Sequence, residues 1–326
     1  MKQHYFPSIN MLRGVAALMV CLYHFTTYTD HRGSLFDSES IVYQIGEFGL
    51  QGVFVFFVIT GFVIPLSLLK KDFQWKQFPK FLAKRWVRIE IPYVFSIISI
   101  LLMAFLFSLN NGSAFEFKIG QFFHHLVYTV PFSEYDWYNT IYWTLAIEMQ
   151  FYIIIALIYP LIASKHIAVR HLIMIVFGIS GFFVEDHRIV FYYAPIFVQG
   201  LVLLLIKMKR IDIRFGLIYL LGFSALTFFT HGVEIGVVSA ITVAVIALPE
   251  IDKKVFNRLG DISYSLYLMH GLIGGTAIYF LSRFVETMFA KIALVLLATT
   301  LSIVGSYIYW RLIENPSKKL SKRIKL

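Results

Sequence analysis

Met11–Thr27, MLRGVAALMVCLYHFTT, is an apolar run interrupted by two ionisable side chains, Arg13 near its start and His24 near its end. At about 100° per residue, eleven positions carry a helix through three turns and roughly 20° more, so both side chains fall on one face, about 16 Å apart along the axis. An arginine and a histidine on one face of an apolar helix need a polar or wet interior to face. A signal peptide is a poor description of the run, because Arg13 breaks the apolar region and no small-x-small cleavage site follows it. Val20, just before Cys21, is too bulky for a lipoprotein site. The run reads as a retained helix.

The rest of the chain has the composition to match. Of its 326 residues 58% are hydrophobic and 17% aromatic, only 15% are charged, and the mean hydropathy is +0.72. A soluble domain of this length does not need so much apolar surface; an all-α polytopic membrane protein does. The single cysteine, Cys21, excludes a disulfide framework and a cysteine-rich metal site, and it is expected to face lipid or to pack. A net charge of +10 would point to nucleic acid in a soluble protein. In this composition it is better explained by basic loops on one side of a membrane.

That explanation is open to counting. Apolar runs long enough to span fall at about 9–28, 46–68, 91–109, 141–163, 168–184, 189–207, 213–230, 232–249, 262–282 and 289–311, ten in all. Phe115–Val130 is only moderately apolar and is expected to be an interfacial helix. With the N terminus inside, 23 of the Lys and Arg residues fall in inner segments; five (Arg32, Lys118, Arg188, Arg283 and Lys291) fall outside, and Arg13 lies within a span. The split predicts ten spans with both termini inside. No internal repeat, low-complexity tract or linker is visible, so a single domain over 1–326 is expected.

Ionisable residues inside spans are costly and therefore candidates for function. His24 lies about one turn from the outer end of the first span, and Glu148 lies about 10 Å below the outer surface on the fourth. The two share a depth, and a histidine oriented by a carboxylate is an arrangement for taking a proton from a hydroxyl. A buried pair that only fixes helix packing is the alternative. Gly49, Gly52, Thr60 and Gly61 on the second span suit close helix approach. Arg85 and Arg88, three apart, present two guanidiniums on one face at the inner surface, which suits phosphate or simply anionic lipid. Pro92, just beyond, suits a first helical turn, and Asp261 or Ser263 suits an N-cap for the ninth span. Trp143 fits an interfacial belt, and Glu314 is expected to pair with basic neighbours.

Taken in order, these stretches resemble the acyltransferase-3 family of integral-membrane acyltransferases of bacterial surface glycans. The resemblance is carried by Arg13 and His24 with ten residues between them, by Gly52-Val53, Phe56-Phe57 and Thr60-Gly61-Phe62, and by Arg85-x-x-Arg88. It continues in Trp143-Thr-Leu-x-x-Glu148-x-x-Phe-Tyr152, in Ile262-Ser-Tyr264-Ser-Leu-Tyr267-Leu-x-His270, and in Glu314-x-Pro316. Two positions depart from the pattern: Thr60 stands where Ser is usual, and Met269 where an aromatic residue is common.

The resemblance implies transfer of an acyl group, usually acetyl, from acyl-CoA to a hydroxyl of a surface carbohydrate or lipid-linked glycan, with no metal. It implies His24 as the catalytic residue, with Arg13 and Glu148 beside it. Arg85, Arg88, Arg13 and Thr60 are expected at the acyl-CoA, and Trp143, Tyr264 and His270 at the substrate. The expected setting is the bacterial cytoplasmic (inner) membrane, among membrane lipids, with no fused extracellular esterase-like domain and with separate envelope-assembly proteins as partners. A transporter or flippase for a lipid-linked sugar is the rival class; it fits ten spans with few buried charges, but the chain shows no repeat of the kind such proteins carry.

Overall fold

The computed structural model describes residues 6–30, 32–249 and 254–325. Helices dominate them: α1 (Pro7–Thr26), α2 (Ile41–Glu47), α3 (Gly52–Leu69), α4 (Phe78–Asn111), α5 (Ile119–Leu126), α6 (Trp143–Ile162) and α7 (Ile167–Phe183). They continue with α8 (Ala194–Lys207), α9 (Ile213–His231), α10 (Val233–Ala247), α11 (Lys254–His270), α12 (Thr276–Leu281), α13 (Met288–Tyr309) and α14 (Asn315–Arg323). The sheet among the described residues is a two-residue hairpin, Thr29–Asp30 against Gly33–Ser34. Six of the described helical segments are long and apolar enough to cross a membrane, and α7, α8 and α10 are shorter apolar helices. The chain is an all-α membrane protein.

Each of the ten apolar stretches is helical over most of its length, some of them across more than one helix, and three boundaries differ from expectation. Pro92 does not open a helix; it lies inside the 34-residue α4. A proline there withholds the N–H that the carbonyl of Arg88 would accept. Ser317 supplies the missing donor, its hydroxyl reaching the carbonyls of Val87 at 2.7 Å and Arg88 at 3.2 Å. Nearby, Tyr264 donates to the carbonyl of Ile89 at 3.0 Å and Tyr309 to that of Pro92. Asp261 and Ser263 likewise fall within α11 rather than at its N-cap. Beyond Tyr309 the last helix continues through a π-turn, Trp310–Glu314, into α14. The short α5 occupies the stretch expected at the interface.

In lipid, apolar contact between helices brings no hydrophobic gain over contact with acyl chains, so packing depends on close approach and on polar groups. The crossing of α3 and α8 shows this. A Cβ on Gly61 would lie 1.9 Å from the carbonyl oxygen of Phe197, and one on Gly200 would lie 2.0 Å from that of Val58. With two glycines at the crossing, backbone meets backbone. The rings of Phe57, Phe197 and Phe151 then stack in a row, at centroid separations of 4.7 and 4.2 Å.

The element carrying Arg13 and His24 lies parallel to α11. At one end the Asn10 amide donates to the Asn257 carbonyl and to Asp261 Oδ1, each at 3.1 Å. At the other, the ring of His24 lies beside that of His270. Cys21, between them, is fully buried and packed.

Candidate active site

Arg13 of α1, Arg85 and Arg88 of α4, Thr60 of α3, Glu148 and Tyr152 of α6, Tyr264 and Tyr267 of α11, and Glu314 converge on one cavity of about 120 Å³. Apolar side chains of α3, Phe56 and Phe57 among them, complete its wall. The volume is close to that of an engineered cavity known to admit benzene.

Three of the charges in this cavity, Arg85, Glu148 and Glu314, are held in place. Arg85 Nη2 donates to Ser67 Oγ at 2.7 Å, and its guanidinium lies over the rings of Phe81 and Tyr152. Its Nε is buried without a partner among the described residues. The Glu148 carboxylate accepts from Tyr152, one turn along α6, and from Thr60 across the helix interface. Glu314 accepts from the Ser265 amide (3.1 Å) and hydroxyl (2.5 Å) and pairs with Lys318 at 2.6 Å. Three guanidiniums face Glu148 alone as counter-charge, since Glu314 is engaged by Ser265 and Lys318; with an unused buried donor on Arg85 they make a site for an anionic ligand.

His24 is not in this group. Its ring contacts are with Tyr23, at 4.8 Å between centroids, and with His270, at 5.2 Å. The expected pairing of His24 with Glu148 is not among the contacts of the described residues; Glu148 faces the arginines. His270 connects the two regions, since its ring lies 6.2 Å from that of Tyr267, which lines the cavity. Tyr267 is itself fixed by bonds to Thr144 Oγ1 (2.6 Å) and the carbonyl of Ile141 (2.9 Å).

The three residues expected at the substrate are dispersed. Tyr264 lines the arginine cavity, and His270 is buried beside His24. Trp143 faces a larger cavity of about 470 Å³, lined also by Pro131, Trp137, Ile147, His187, Arg188 and Tyr193. There Arg188 is held by Asp186 in a bidentate pair, and its hydrogen bonds draw the Asp186 carboxyl down to about 2.

Sequence reasoning missed Tyr152, Ser67 and Tyr267 as parts of the site, and it gave Glu314 only a structural role. Two of these carried a signal. Glu148 and Tyr152, and Glu314 and Lys318, are spaced four apart and so share a helix face.

Comparison with known proteins gives this geometry a family. The family described as "Acyltransferase domain", acyltransferase-3, matches residues 6–311. The chain belongs to the acyltransferase-3 family. It is an acyltransferase. A protein of Acidianus two-tailed virus named "Putative acetyltransferase ORF330" is 25% identical to it over 319 residues, covering 87% of this chain and 91% of that protein. No solved structure matches. Among the described residues no cluster of His, Cys, Asp and Glu is built to hold a metal ion.

Proposed function

We propose that this acyltransferase moves an acetyl group from acetyl-CoA to a hydroxyl of a cell-surface or lipid-linked carbohydrate. The observation that carries the reading is the convergence of Arg13, Arg85 and Arg88 on one cavity. The nucleotide end of acyl-CoA carries several phosphate charges, and planar guanidiniums bind such oxygens bidentately. The acetyltransferase name of the viral relative favours acetyl as the group transferred.

In this reading the phosphates rest near Arg85 and Arg88, and the pantetheine arm runs along α1 from Arg13 toward His24. Their separation along the helix, about 16 Å by helical rise, is comparable to the extended arm. The thioester then lies near His24, whose imidazole takes the proton of the acceptor hydroxyl. The hydroxyl oxygen forms a bond to the thioester carbonyl carbon, and the carbon–sulfur bond breaks with its electron pair moving to sulfur. The imidazolium returns the proton to the CoA thiolate. Glu148, bonded to Tyr152 and Thr60, balances the guanidiniums at the donor end.

The 23-to-5 division of basic residues supports ten crossings of the cytoplasmic membrane with both termini inside. The donor would then enter from the cytoplasm and the glycan from the outer surface. Radiolabelled acetyl-CoA added to isolated membranes containing the protein tests the reading. Label fixed on glycan supports it. Sugar translocation with no fixed label would identify a flippase instead.

A further inference from the structure

His270 is fully buried at the end of α11, and its Nδ1 lies 3.1 Å from the carbonyl oxygen of Leu266 and 2.8 Å from that of Tyr267. Carbonyl oxygens only accept, so Nδ1 carries the proton; in the neutral ring this leaves Nε2 as a lone-pair acceptor. That Nε2 is buried with no partner among the described residues. An unused buried acceptor is costly, and its persistence calls for a reason.

The ring of His24 lies 5.2 Å from that of His270 between centroids, with 38° between the planes. A centroid separation of 5.2 Å leaves room for a ring nitrogen of the half-buried His24 to reach Nε2 at hydrogen-bond distance. The His270 ring has little freedom to move in response. Directly after it the helix passes through a π-turn, Gly271–Gly275, a feature frequent at functional sites. There a Cβ on Gly274 would lie 2.2 Å from the Phe25 ring and 2.5 Å from Ser302 Oγ, so α1 and α13 close tightly around the turn.

We propose that His270 is the positioning residue for His24: its Nε2 accepts an N–H from the His24 ring, which leaves the other His24 nitrogen unprotonated and aimed at the acceptor hydroxyl. His270 thereby fills the place that the sequence offered to Glu148. When His24 takes the hydroxyl proton, the neutral His270 acceptor stabilises the imidazolium without itself gaining a proton. The inference rests on the reading of His24 as the base, and the experiment separates the two.

Rates of acetyl transfer from radiolabelled acetyl-CoA to endogenous glycan are measured in membranes holding equal amounts of folded protein. The variants are His24→Ala, His270→Phe and His270→Gln, with His270→Leu if the phenylalanine does not fold. We expect His270→Phe to lower kcat by about 10²-fold or more, in the range of a lost acid–base contribution, with KM for acetyl-CoA within about twofold. His270→Gln, which keeps a side-chain acceptor, should recover at least about tenfold of that loss. Wild-type kcat in His270→Phe, or equal loss in the Phe and Gln variants, overturns the positioning role while leaving His24 as base. Full activity of His24→Ala overturns the underlying mechanism instead.

Discussion

Thr60 donates to Glu148 Oε1 across 3.4 Å, joining α3 to α6 at the wall of the arginine cavity. The bond is long and therefore weak. The stronger constraint on the carboxylate is Tyr152 on its own helix. Together they keep Glu148 turned toward the guanidiniums of Arg13 and Arg85, where its charge balances theirs.

From this follows the behaviour of Glu148→Gln. The amide keeps an oxygen for Tyr152 and Thr60 but removes the negative charge, so the buried guanidiniums lose their counter-charge. Stability should fall by about 1–3 kcal/mol, seen as an earlier thermal transition of the detergent-solubilised protein. KM for acetyl-CoA should stay level or fall, because the cavity becomes more positive. A raised KM with an unchanged transition would contradict this assignment.

The arginine pair gives the converse. Replacing Arg85 and Arg88 together by alanine removes charge-assisted bonds worth about 1.5–3 kcal/mol each. Acetyl-CoA binding, followed by isothermal titration, should weaken by at least about tenfold. Lysine at both positions should restore only part, since an ammonium keeps the charge and loses the bidentate fork. Unaltered affinity in the double alanine variant would move the nucleotide elsewhere.

Gly61→Ala tests the α3–α8 crossing. Its Cβ would meet the Phe197 carbonyl oxygen at 1.9 Å, so the two helices must part, at a cost of about 1–3 kcal/mol. Gly222→Ala is the control. Nothing lies within 4 Å of its Cβ, and in the interior of α9 alanine is favoured over glycine by up to about 1 kcal/mol. Thermal unfolding of both variants should therefore shift in opposite directions.

His125, on α5, predicts a pH effect. Its Nδ1 lies 2.9 Å from the carbonyl of Gln121, and its Nε2 accepts from the Tyr138 amide at 3.1 Å. Burial lowers its pKa below the usual 6.5. A group held neutral by the fold stabilises fully above its unfolded pKa, and that contribution is lost as pH falls through 6.5 toward the lowered folded value. Amides of 118–138 should exchange faster as pH drops through this window, after correction for intrinsic rates. His125→Gln, which keeps donor and acceptor without titrating, should flatten the dependence.

The sequence carried most of the helices because lipid imposes long apolar runs, and six of the described helical segments are long and apolar enough to span. It hid the extensions of α4 back to Phe78 and of α11 back to Lys254, because Lys80, Lys84, Arg85 and Arg88 in the one and Lys254, Arg258 and Asp261 in the other lower the hydropathy there. Pro92 misled for a tertiary reason: a hydroxyl from Ser317, far along the chain, supplies the hydrogen bond that proline withholds. At the site, Arg13, Arg85 and Arg88, which the motifs singled out separately, line one cavity. The His24–Glu148 pairing failed because depth can be counted along a helix, whereas the face a helix shows to its neighbours depends on packing that no single segment encodes. The same limit concealed His24 beside His270, although both were singled out.

The most direct test of the account is the glycan itself. Surface glycans from cells with and without this protein, and from cells producing His24→Ala, are compared by mass spectrometry before and after mild alkaline treatment. Sugars heavier by one alkali-labile acetyl group are expected only where the wild-type protein is present, as acetyl transfer through His24 requires. Identical acetylation in all three samples would contradict it.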